Sequence, residues 1–164
     1  MTLLQYVFLI ALSGSLLAVT LFTAATVRST LQRRGGALAG SWIERLGTAT
    51  RPDDQMWAFI AHRVTGVAIF AFLAVHIADV FAYAISRSAF DEIHRLYGTA
   101  PMRIFECLLL FAILFHTLNG VRLLILDVSG IGESGSRWML RVAVIVAATI
   151  GSSASLVILS PMWS

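Results

Sequence analysis

The sequence predicts an all-α integral membrane protein with four transmembrane helices, an extra N-terminal helix ahead of a three-helix core. Three observations carry this. Of 164 residues, 58% are hydrophobic and only 13% charged, against roughly 25% charged in a soluble domain. The mean hydropathy is +0.83. Four apolar runs are each long enough to cross a hydrocarbon core of about 30 Å at about 1.5 Å per residue. In lipid the backbone must satisfy its own hydrogen bonds, so such runs are helices.

Span one, Leu3 to Val27, carries no charge. It has no positive n-region and is too long for the apolar part of a secretory signal, so it is expected to remain as a membrane helix. A polar stretch, 28–56, follows as a linker, with Arg28, Arg33, Arg34, Arg45 and Arg51 and several glycines. Within it, SWIERLG at 41–47 predicts a short surface helix with Trp42 at the interface. Residues 57–164 form the core domain, and residues 1–27 stand apart as the N-terminal helix.

Span two, Trp57 to Ile85, holds His62, Arg63, His76 and Asp79. His62, Thr65, Gly66, Ile69, Leu73 and His76 share one helical stripe, and Arg63 lies about 100° round from it. Near the helix start, Arg63 can reach headgroups, a partner's carboxylate or a propionate, or simply snorkel to the interface. Ser86 to Pro101 reads as a loop of mixed charge, with His94 a solvated residue in it. Span three is Met102 to Asp127 and span four Val142 to Trp163. The Gly/Ser-rich turn at 129–136 makes them antiparallel neighbours.

Several classes are excluded. The formal charge of +3 is spread over the loops without an aromatic-interleaved basic patch, which argues against nucleic acid. Cys107 is the single cysteine, with no CxxC or CxxCH partner, which argues against a zinc, iron–sulfur or covalently attached haem site in this chain. Any haem here is non-covalent, of the b type. By the positive-inside rule the arginine-bearing segments 28–56 and 127–141 face the cytoplasm and both termini lie outside.

FHTLNGVRLLILD, Phe115 to Asp127, places polar groups in a run otherwise fit for lipid. An intramembrane histidine or arginine is a functional hypothesis by default. His116, Asn119 and Gly120 share a face at i, i+3 and i+4. Two readings stand. The imidazole ligates a haem iron while Gly120 leaves room for the ring edge, or it bonds a neighbouring helix while Gly120 serves tight packing. His116 lies about 15 Å from the cytoplasmic end of its span, and His76 about 21 Å beyond His62 on another. That axial mismatch makes His76 a poor partner for His116 on one iron, so a second ligand is expected from another chain. His76 with Asp79 reads as a self-satisfying pair at the outer interface or as a second quinone or haem-edge site.

AHRVTGV at 61–67 and HTLNGVRLLILD at 116–127, in this order and at this separation, resemble the cytochrome b556 membrane-anchor subunit of succinate dehydrogenase, over about 57–160. The resemblance implies a non-flavin subunit of succinate:quinone oxidoreductase, an enzyme of the respiratory chain and the tricarboxylic acid cycle. Its expected place is a bacterial inner membrane, crossed several times. His116 is then an axial ligand of haem b, with the other ligand from a second anchor subunit. His62, Arg63, Asn119 and Gly120 lie against the haem and its propionates. Phe59, His62, Arg63 and Asp127 border a quinone pocket, for menaquinone or ubiquinone, facing the iron–sulfur subunit. A flavoprotein subunit completes the complex, and a trimer of the whole is left open. The sequence departs from the pattern at Phe59, where many relatives have serine, at Leu123, where relatives often have histidine, in the N-terminal span, and at His76 with Asp79. The alternatives are the cytochrome b subunit of another respiratory oxidoreductase, which would use His76 with His116, and a transporter relaying protons through His76, Asp79 and His116.

Overall fold

The computed structural model describes residues 2–34 and 54–163. The surface helix expected at 41–47 lies outside the described residues. Among the described residues five α-helices follow one another: α1 (Leu3–Arg34), α2 (Asp54–Ile85), α3 (Arg87–His94), α4 (Ala100–Ser129) and α5 (Glu133–Leu159), with a closing 3-10 turn at Ser160–Met162. All except α3 are long and apolar enough to cross a membrane. The four-span prediction stands.

Helix ends follow local chemistry and reach beyond the apolar runs. α1 continues through the first arginines of the linker to Arg34, and α5 begins at Glu133, well before Val142. Polar residues propagate a helix as readily as apolar ones once it is nucleated. Pro101 sits in the first turn of α4, where its missing N–H costs nothing. Gly130 ends that helix at φ 63°, a left-handed conformation open to glycine. The stretch 86–101 is not a plain loop: Ser86 is extended and its Oγ accepts from the Ala89 N–H at 3.4 Å, capping α3.

α2 packs on α4, and α4 on α5, as consecutive antiparallel neighbours; α1 lies along α2 and α3. Near the start of α1, Phe8 and Leu12 join Val75, Ile93 and Met102 in a buried cluster. Gln5 Nε2 donates to the Glu92 carbonyl at 3.0 Å, tying α1 to α3. Between α4 and α5 the Phe111 ring fills the space where Gly151 has no Cβ. Arg103 Nη1 donates to the Ile158 carbonyl at 2.7 Å, joining the far ends of the same pair.

Candidate functional site

Where α2 and α4 cross, each contributes the same spacing, His62-x-x-x-Gly66 on one and His116-x-x-x-Gly120 on the other. Because the helices run antiparallel, each histidine lies over the other's glycine. A Cβ at Gly66 would stand 2.8 Å from His116 Cε1, and one at Gly120 would stand 3.4 Å from His62 Cε1. The two imidazoles stack with centroids 4.0 Å apart and planes 2° from parallel. Small residues at a crossing let membrane helices approach closely, and here the space gained holds two rings.

His116 Nδ1 is 3.0 Å from the His62 carbonyl oxygen and 3.3 Å from Thr65 Oγ1. A carbonyl only accepts, so Nδ1 carries the hydrogen. The neutral ring then has its lone pair on Nε2. That atom has no partner among the described residues and is not among the buried unpartnered atoms, so it reaches accessible surface. His62 Nδ1, by contrast, is buried without a partner.

The residues fit a haem in one respect and correct the sequence reading in another. An imidazole tied through Nδ1 to a carbonyl and unpartnered at Nε2 has the chemistry of an iron ligand. The space beside Gly120, expected to seat a porphyrin edge, is taken by the His62 ring. Asn119 also does not face that space. It is 1% exposed, and its Oδ1 accepts from Arg122 Nη1 at 3.1 Å.

Arg122 is itself 4% exposed. Its Nε donates to the Ser136 carbonyl at 3.1 Å and its Nη2 to Ser136 Oγ at 2.6 Å and to Gln55 Oε1. It therefore knots α2, α4 and α5 together at one end of the bundle. Arg63 points elsewhere: it is exposed, its guanidinium 5.3 Å from the Phe59 ring centroid and 5.9 Å from that of Phe22 on α1. Such cation–π contacts hold a planar guanidinium between aromatic faces. Asp127 is exposed near the end of α4 and is not drawn into contact with His62, Arg63 or His116.

The outer pair is also rearranged. Asp79 is buried, but its Oδ2 accepts from the Tyr97 hydroxyl at 3.1 Å, and Oδ1 is buried unpartnered. His76 is exposed and stacks on Phe72 at 5.5 Å, so His76 and Asp79 do not satisfy each other. Burial, then the charge of Asp79 and its hydrogen bond, pushes the Tyr97 phenol well above its ordinary range. Tyr97 is absent from the sequence reading; its signal is its place four residues after buried Ile93. His94 is exposed, as expected, and stacks on Phe90 at 4.9 Å. A cavity of about 480 Å³ opens between α2, α4 and α5, lined by Trp57, Ala58, Ala61, Phe115, Leu140 and Val144 with Asp54 and Arg141 among its walls. No sequence motif announces it.

A bundle of four membrane-length helices, two of them meeting at a histidine crossing, defines a class, the multi-pass membrane protein. Comparison makes the class particular. A profile described as succinate dehydrogenase/fumarate reductase transmembrane subunit matches residues 44–155, and the chain belongs to that family. It is 33% identical over 116 residues to the succinate dehydrogenase 2 membrane subunit SdhC of Mycobacterium tuberculosis, covering 71% of this chain and 85% of the relative. It is also 31% identical over 91 residues to the succinate dehydrogenase hydrophobic membrane anchor subunit of Halobacterium salinarum, covering 55% of this chain and 69% of that one.

Proposed function

We propose that this chain anchors a succinate:quinone oxidoreductase in a bacterial inner membrane, binding a haem b through His116 Nε2 together with a ligand from a second anchor subunit. The observation that carries this is the His116 ring itself, its Nδ1–H spent on α2 and its Nε2 bare and accessible. Bound haem supplies a one-electron carrier beside the quinone site. Gly66 keeps the ring in place by leaving it room. Arg63, exposed and held by Phe59 and Phe22, supplies positive charge for a propionate or a quinone oxygen. His62, next to it in sequence, brings a titratable ring to the same neighbourhood. The flavoprotein and iron–sulfur subunits dock at the end carrying Gln55, Arg122 and Asp127, which the arginine distribution assigns to the cytoplasm.

The rival that ligates one haem with His76 and His116 lacks support. His76 sits four turns along α2 from His62, about 21 Å away, and it is His62 that meets His116. The decisive experiment is His116→Ala in the purified complex. The b-type band of the reduced-minus-oxidised spectrum is expected to vanish; an unchanged spectrum refutes the assignment.

A further inference from the structure

We propose that Thr65 is a positioning residue for His116, its hydroxyl oxygen sharing the Nδ1–H with the His62 carbonyl and so setting how strongly Nε2 donates to a bound iron. The inference rests on the haem reading above and assigns a role to a residue which that reading leaves idle.

The geometry is over-determined. Thr65 Oγ1 lies 2.7 Å from the Ala61 carbonyl and 3.1 Å from the His62 carbonyl on its own helix. The single hydroxyl hydrogen is used on those acceptors, and the oxygen's lone pairs are left for a donor. The donor 3.3 Å away is His116 Nδ1. A β-branched side chain has few χ1 options in a helix, so Oγ1 is held there at little further entropic cost. Directly after it, Gly66 has no Cβ where one would press on His116 Cε1 at 2.8 Å. Three residues of the stretch HRVTG, namely His62 through its carbonyl, Thr65 through its hydroxyl and Gly66 through its bare backbone, thus converge on one imidazole of another helix. The stretch reads as a cradle for His116.

The consequence is electronic. A hydrogen bond from the far nitrogen of a ligating imidazole fixes its tautomer and raises its basicity, which favours the ferric over the ferrous state. Two acceptors on α2 do this more strongly than one. Removing the Thr65 oxygen leaves the ring and its carbonyl bond in place but weakens the pull on Nδ1–H, so the haem should become easier to reduce.

The test is a redox titration of the intact complex carrying Thr65→Val, with Thr65→Ser alongside and the largest g value of the ferric haem recorded for each. Expected are an upward shift of midpoint potential and a moved g value in Thr65→Val, and wild-type values in Thr65→Ser, which restores the hydroxyl. Haem lost from an assembled Thr65→Val complex and retained in Thr65→Ser also supports the role. Equal potentials in all three forms overturn it, as does loss of haem from both variants. A wild-type complex without a b-type band strikes down the haem reading and this inference together, whereas haem-bearing variants of unchanged potential strike down this inference alone.

Discussion

Two glycines with the same spacing have different tolerances. At Gly66 an added Cβ meets the His116 ring 2.8 Å away, inside any allowed contact, whereas at Gly120 the nearest atom, His62 Cε1, is 3.4 Å away. Overpacking of that kind costs about 1–3 kcal/mol, and it acts here on the ring proposed to bind iron. Gly66→Ala is expected to reduce haem occupancy sharply and Gly120→Ala much less, read from the ratio of b-type absorbance to protein in purified complex. Equal losses would mean that the stacked pair moves as one body. His116 is legible in the sequence because a histidine in lipid needs a reason, and its glycine four residues on supports it. Its neighbour is not legible. Apolar runs give helix ends only roughly, and the ends do not align: Gln55, at the start of α2, meets Arg122, seven residues before the end of α4. That offset brings His62 level with His116. Asn119 illustrates the limit of face arguments, since a carboxamide on the right stripe still turns to the strongest buried donor within reach, Arg122.

Among the elements, α3 is where the sequence reading falls short. Its charges suggest a loop, yet Phe90 and Ile93 sit three apart after a capping serine, and Ile93 is buried against α1, α2 and α4. The helix carries the chain round so that Tyr97 reaches Asp79. Tyr97→Phe removes the hydroxyl and leaves a buried carboxylate without a partner, at a cost of about 1–3 kcal/mol. The alkaline limb follows from the sign of the shift. The folded phenol titrates above the ordinary value of about 10, so its contribution to stability is present below that value and lost as pH rises past it toward the raised one. Thermal melts between neutral pH and pH about 11 should show a steeper alkaline decline in wild type than in Tyr97→Phe; parallel curves would deny Tyr97 its buried setting. α1 is legible as a span but not in its placement. Its contact with Arg63 through Phe22 depends on antiparallel packing, which charge counts and hydropathy do not encode.

Taken whole, the bundle turns most of its large apolar side chains outward, among them Phe70, Phe81, Leu108, Leu124 and Val157, each more than half exposed. Such surface is at rest only against lipid or another subunit. At the crossing His62 lies beside His116, stacked on its ring, and His76 and His94 are spent on aromatic stacking elsewhere. A six-coordinate haem on the proposed His116 ligand would therefore need a second chain. This chain purified without the second anchor subunit is expected to show no low-spin b-type spectrum, and adding that subunit should restore it; a full spectrum from the isolated chain would contradict the shared site. The paired His-over-Gly crossing has a mechanical consequence as well. It engages at two points in opposite senses, so neither helix can slide along the other without driving an imidazole into backbone. A joint keyed in this way permits no piston stroke between α2 and α4. On the proposed function, what passes through it would travel as electrons and protons across fixed distances.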